Sequence, residues 1–411
     1  MKQLFDPNKP HLAICVWIGE PSVPPWYRPP RNETPQKLPQ TSLHYAASWG
    51  LHSVVEFLIT EYSQDVCSRD CTDNATPLHL ASNKGYVKAA CKLIECGADP
   101  TAQDNDGHTP LHLASRYGKV DIARMLIERG ADLTAKDNYG YTPLHLASRN
   151  GEVDVARMLI ENGADLTAQD NHGHTPIHLA SRNGKVDVAR MLIERGVDLT
   201  AQDNLGDTPL YLALRSGEVD VARMLIERGV DLTARDNHGD TLLHLALRYG
   251  QVDVARMLIE RGVDLTAQDN CGNIPLHLAL RYGQVDVARM IIERGADLTA
   301  QDNYGDTPLH LASRNGEVDV ARMLIERGAD LTAQNNDGKT PLHMASDPLY
   351  RVVSQGCAEV AHMLLEHGTD VNARSNDGFT PFALASQGGH TEIVHILVQH
   401  GADSGAHGIA N

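Results

Sequence analysis

Between residues 41 and 404 the apolar residues fall into two short bursts that recur at fixed intervals. In the stretch 104–136, DNDGHTPLHLASRYGKVDIARMLIERGADLTAK, Leu111, Leu113 and Ala114 give one apolar side to a short helix. Val120, Ala123, Leu126 and Ile127 follow at helical spacing and predict a second helix. The polar residues punctuate these bursts. Thr109 suits an N-cap, and Pro110 suits the first helical position, where its missing N–H is no loss. Gly118 can take the left-handed turn that closes the first helix. Asp121 favours the positive end of the second helix, and Gly130 stops it. The Asp-Asn-x-Gly between successive units has turn chemistry and predicts a hairpin-like finger. In the second unit Asn74 stands where the turn glycine is expected, and asparagine tolerates that conformation.

The unit repeats. A threonine opens the first burst at positions 76, 109, 142, 175, 208, 241, 307 and 340, 33 residues apart in register, with Ile274 in the same place once. The step is 35 from Thr41 to Thr76 and 40 from Thr340 to Thr380, which makes eleven units. The longer step places seven extra residues around 347–356, at a joint between two helices. One such unit cannot bury a core, whereas stacked units share one through their apolar helix faces. The pattern therefore predicts an all-α repeat solenoid over 41–404. With helices about 8–10 Å apart it would be roughly 100 Å long. Gln387, His390, Glu392, His395 and Gln399 supply the polar outer face an end unit needs. A leader rich in Pro and Trp (1–40, with nine of the chain's 20 prolines) and a loose tail (405–411) flank the repeats.

Gly-x-Thr-Pro-Leu-His-Leu-Ala, followed by Gly, a second helix and Gly-Ala-Asp, resembles the ankyrin repeat in length, order and signature. The departures are local: Thr134, Thr167 and Thr200 replace the usual Asn of the family, Tyr211 and Ala383 replace the signature His, and Leu242 and Ile274 replace Pro and Thr. The resemblance implies that His79, His112, His145, His178, His244, His277, His310 and His343 are structural bridges from their own Thr to the neighbouring finger. It also implies that the fingertips and first-helix surface line a concave groove for protein partners. The leader and first unit (HLAICVWIGEPS, then residues 38–59) are similar to the junction before the ankyrin array of fungal NACHT signalling proteins. That second likeness implies a ligand-sensing array separated from its nucleotide-binding domain.

Charge and candidate chemistry narrow the reading. A net charge of -17 opposes general binding to nucleic acid or anionic membrane, which calls for a basic patch. Seven irregularly spaced cysteines suit free thiols in a reducing compartment. With no apolar run near 20 residues, the expectation is a cytoplasmic, monomeric protein, with the nucleus an alternative compartment. Cys67-x3-Cys71 and Cys91-x4-Cys96 lack zinc-knuckle spacing. Residues 333–340 (AQNNDGKT) imitate a phosphate loop without its buried strand. No nucleophile elbow or isolated carboxylate pair appears, so no enzyme activity, metal or cofactor is expected. Asp121, Arg124 and Glu128, repeated in the later second helices, read as a solvated outer face. Met125, Met158 and Met191 read as core filler.

Positions where the copies disagree are the candidates for partner binding. Two residues flank each finger glycine: Tyr139 and Tyr141, His172 and His174, Leu205 and Asp207, His238 and Asp240, Tyr304 and Asp306. At the end of the first helix Tyr117, Tyr249 and Tyr282 vary beside an unbroken series, Arg116, Arg149, Arg182, Arg215, Arg248, Arg281 and Arg314. Tyr and Arg are enriched in binding hot spots. One guanidinium per repeat favours an extended acidic partner, although Asp207, Asp240 and Asp306 offset part of that charge.

Overall fold

The computed structural model describes residues 40–347 and 354–403. Among them are 22 helices and no strands. The leader up to residue 39, with the part of the expected NACHT-protein junction that it carries, most of the 347–356 insertion and the tail lie outside the described residues. The chain divides into two compact units, 1–204 and 205–411.

The first unit holds five helix pairs, beginning with Ser42–Ser48 and His52–Tyr62 and ending with Pro176–Arg182 and Val186–Glu194. The second holds six, from Pro209–Ser216 and Val219–Glu227 to Pro381–Gly388 and Thr391–Gln399. The predicted faces are buried: Leu111, Ala114, Ala123 and Leu126 are fully inaccessible, and Met125, Met158 and Met191 lie in the core. The core is therefore a chain of shared helix faces within each unit, as repeat stacking requires. The repeated Asp of the second helices are exposed, most of their Arg are exposed too, with Arg256 and Arg289 half-buried, and pairs such as Arg256–Asp286 (3.4 Å) run between neighbouring repeats.

Thr-Pro-Leu-His is the joint of each repeat. The Thr109 hydroxyl and backbone N–H both meet His112 Nδ1, at 2.8 and 3.1 Å. Those contacts leave the ring proton on Nε2, which donates to the Tyr141 carbonyl at 2.9 Å. One neutral imidazole thus caps its own helix and ties it to the next finger. His79 bonds His108 O, His145 bonds His174 O and His244 bonds Asn273 O in the same way. In these histidines both ring nitrogens are occupied, so these rungs of the ladder are bridges, whereas His277 Nε2 makes no such bond. Tyr211 substitutes by donating its hydroxyl to Asp240 O at 2.8 Å. At Ile274 the hydroxyl is lost, and His277 Nδ1 keeps only the backbone N–H bond, at 3.1 Å.

The fingers are zipped together by asparagine. Asn138 donates its backbone N–H to Asp106 O (2.9 Å) and its Nδ2 to Asn105 O (2.8 Å). Asn171 and Asn204 continue the ladder in the first unit, and Asn270, Asn303, Asn336 and Asn376 repeat it in the second. The close approach requires glycine at the fingertip. Gly140 has φ +82°, and a Cβ there would lie 2.7 Å from the Asn171 backbone nitrogen.

Candidate partner-binding face

The finger geometry sorts the candidate residues into two groups. The Asp that opens each finger accepts two N–H bonds across its turn: Asp137 Oδ1 takes those of Tyr139 (2.9 Å) and Tyr141 (2.8 Å). The turn lifts the residue before the glycine outward and tucks the residue after it beneath the finger. Tyr139, His172, Leu205, His238 and Tyr304 are accordingly exposed. His174, Asp207, Asp240 and Asp306 are buried, and Tyr141 is half-buried. The expectation of one exposed stripe containing both flanking residues is corrected in this respect. The burial follows from the hydrogen-bonded turn, a link that residue variation alone does not reveal.

At the first-helix end Arg116, Arg149, Arg182, Arg215, Arg248 and Arg281 are exposed and Arg314 is half-buried. Tyr117, Tyr249 and Tyr282 stand beside them, each more than two-fifths exposed. The arginines are not equivalent. In the second unit each meets a finger carboxylate: Arg215 with Asp207 (2.5 Å), Arg248 with Asp240 (2.8 Å) and Asp269 (3.4 Å), Arg281 with Asp302 (3.0 Å), and Arg314 with Asp306 (2.7 Å). These carboxylates are nearly inaccessible. Burial pushes Asp240 up to about 6, with Arg248 beside it pulling the other way. Desolvation, helped by the neighbouring Asp236 and Asp269 carboxylates, outweighs Arg248, whose head remains partly in water.

The first unit is built differently. Its finger acids face histidines: His108 lies 3.4 Å from Asp104 and 3.5 Å from Asp137, and His174 lies 3.0 Å from Asp170 and 3.3 Å from Asp203. Burial acts to lower His108, yet Asp104 and Asp137 together hold it above its ordinary value. The guanidinium carbons of Arg116 and Arg149 lie over aromatic rings, 5.5 Å from the Tyr117 centroid and 5.8 Å from the Tyr141 centroid. A cleft of about 570 Å³ opens between these residues, lined by Arg116, Tyr139, Tyr141, Arg149, Asn150 and His172, with His108, Asp106 and Asp137 at one wall.

Sequence reasoning missed two things. One is the asparagine ladder, signalled by the Asn that follows Asp in nearly every finger. The other is a pairing, at several fingers though not at Asn273 and Arg281, between the residue after the finger glycine and the residue eight positions on. Asp207–Arg215, Asp240–Arg248 and Asp306–Arg314 obey it as ion pairs and Tyr141–Arg149 as a cation–π pair. Lys339–Asp347 obeys it with the charges exchanged, at 3.0 Å.

The period, the Thr–His joint and the fingers agree with comparison to known proteins. Nine overlapping matches to a family model described as ankyrin repeats (3 copies) run from residue 28 to residue 407. The chain belongs to the ankyrin-repeat family. It is also similar to Palmitoyltransferase AKR1 of Lachancea kluyveri, 42% identical over 67 residues, which make up 16% of this ankyrin-repeat chain and 9% of that relative. Among the described residues no helix is long and apolar enough to cross a membrane.

Proposed function

We propose that this ankyrin-repeat chain is a non-enzymatic scaffold that holds a protein partner along its fingertips and first-helix ends. The observation that carries the reading is the distribution of exposed apolar bulk. Among the described residues nine large apolar side chains are exposed: Trp49, Tyr86, Tyr117, Tyr139, Leu205, Tyr249, Tyr282, Tyr304 and Val398. All but Val398 lie at a fingertip or at the joint after a first helix. Aromatic side chains held on rigid helix ends offer contact area at little entropic cost. The second helices instead present short, solvated charge pairs, which contribute little to affinity. The 67 residues shared with the palmitoyltransferase are 9% of that enzyme, and acyl transfer is no part of this proposal.

The test is affinity capture from native lysate with the wild-type chain and with Tyr139, His172, His238 and Tyr304 replaced together by alanine. A partner held by the wild type and lost by the variant, with both proteins equally helical, supports the reading. A partner retained by that variant and lost when Arg256 and Arg289 are reversed to glutamate would move the interface to the second helices.

A further inference from the structure

The second unit shows what its helix-end arginines bind when a carboxylate is within reach. Asp207, Asp240 and Asp306 each place a carboxylate oxygen 2.5–2.8 Å from the arginine eight residues on. In the first unit the same finger position carries His108 and Tyr141. Arg116 and Arg149 are exposed there, with their guanidinium groups over the Tyr117 and Tyr141 rings. A cation–π approach of this kind uses none of the guanidinium N–H donors, which stay available for bidentate contact with a carboxylate. Both arginines line the 570 Å³ cleft with Tyr139 and His172.

We infer that this cleft takes the acidic side chains of an extended peptide, the partner supplying in trans the carboxylates that the second unit supplies in cis. The inference rests on the scaffold reading and names the partner chemistry for one part of its face. Arg116 and Arg149 end neighbouring first helices, and packed helices lie about 8–10 Å apart. An extended polyproline-II chain rises about 3.1 Å per residue with three residues per turn, so carboxylates at positions i and i+3 lie on one side, about 9 Å apart, and span the pair. Asp106 and Asp137 share one wall of the cleft, but the Asp137 carboxyl is fully buried behind His108. The exposed charges at the mouth are Arg116, Arg149 and Asp106, and they leave a net positive opening.

The probe is a fluorescein-labelled heptapeptide with two glutamates separated by two apolar residues, titrated into the full chain and followed by anisotropy. Saturable binding is expected, weakened at least about ten-fold when both glutamates become glutamine. The double variant Arg116→Glu with Arg149→Glu should lose it. His108→Asp with Tyr141→Asp should also lose it, because each new carboxylate occupies its arginine as in the second unit. Far-UV circular dichroism and urea midpoints show that the variants fold. Absence of saturable binding to the wild type, or equal binding by either double variant, overturns the inference. A native partner that survives Arg116→Glu with Arg149→Glu but is lost when the fingertip residues become alanine also overturns it, and leaves the scaffold reading standing. Retention of that partner by both variants removes the two together.

Discussion

Lowering the pH should loosen the helix Pro143–Asn150 by breaking the bridge at His145. That imidazole is fully buried. Its Nδ1 meets the Thr142 hydroxyl at 2.8 Å and its Nε2 meets the His174 carbonyl at 3.0 Å. Desolvation pulls it down from 6.5 to about 4, with the bond to His174 O opposing. The folded-state value is depressed, so between about 4 and 6.5 the unfolded chain binds the extra proton and stability falls as the pH falls. Between about pH 7 and about pH 5 the linkage amounts to about 2 kcal/mol, a roughly twenty-fold larger opening constant. Asp170 nearby is held below the usual carboxylate range, so its contribution is lost only in stronger acid. Hydrogen exchange read by mass spectrometry, corrected for intrinsic rates, measures the opening segment by segment. The helix Pro209–Ser216 is the internal control, because its bridge is the Tyr211 hydroxyl, which does not take up a proton in this range. Equal opening free energies for residues 143–150 at both pH values would refute the buried neutral bridge. His112 is a less clean case. It is also depressed to about 4, but His108 beside it is raised, gains stability as the pH falls, and opposes the trend.

Two further outcomes follow from the joints. Gly140→Ala should cost at least about 2 kcal/mol in urea unfolding, because it adds a clash with the Asn171 backbone to the strain of positive φ. Gly163→Ala has φ +86° and nothing within 4 Å, so it should cost only about 1 kcal/mol of backbone strain. Equal losses would remove the finger packing from the account. Arg248→Ala leaves the buried Asp240 carboxylate without its close partner and should cost about 1–2 kcal/mol at pH 7, discounted for the partly exposed guanidinium. Asp240 is raised to about 6, so a contribution of this kind is lost as the pH rises through that value. The penalty should shrink near pH 5, where the carboxyl is protonated, and urea midpoints at the two pH values check it.

The fold was legible because each unit repeats the same instructions. Apolar spacing, Thr-Pro at the helix start and glycine at the turns each point to the same helix pair, and consistency among such local signals is what specifies a structure. The His bridge was legible from the family resemblance, and Tyr211 shows why it tolerates change: a phenol can reach the same carbonyl. The site was legible only in part. Exposure at Tyr139 or Tyr304 and burial at Asp207 or Asp306 look alike in a list of variable positions. What separates them is the carboxylate of the opening Asp, which draws in the N–H groups on both sides of the glycine.

That turn also explains why an unbroken arginine series does not make an evenly basic face. The residue tucked beneath the finger comes within reach of the side chain eight positions on. The identity of the first therefore sets which partner the second meets. Aspartate consumes the arginine, as at Asp306–Arg314. Tyrosine holds it by its face, as at Tyr141–Arg149. Lysine, at Lys339, is matched by an aspartate where arginine would stand. On the proposed scaffold reading, partner charge preference is set by a two-residue combination rather than by either residue alone. A substitution at a buried finger position can change what the exposed arginine binds without altering the exposed surface composition at all.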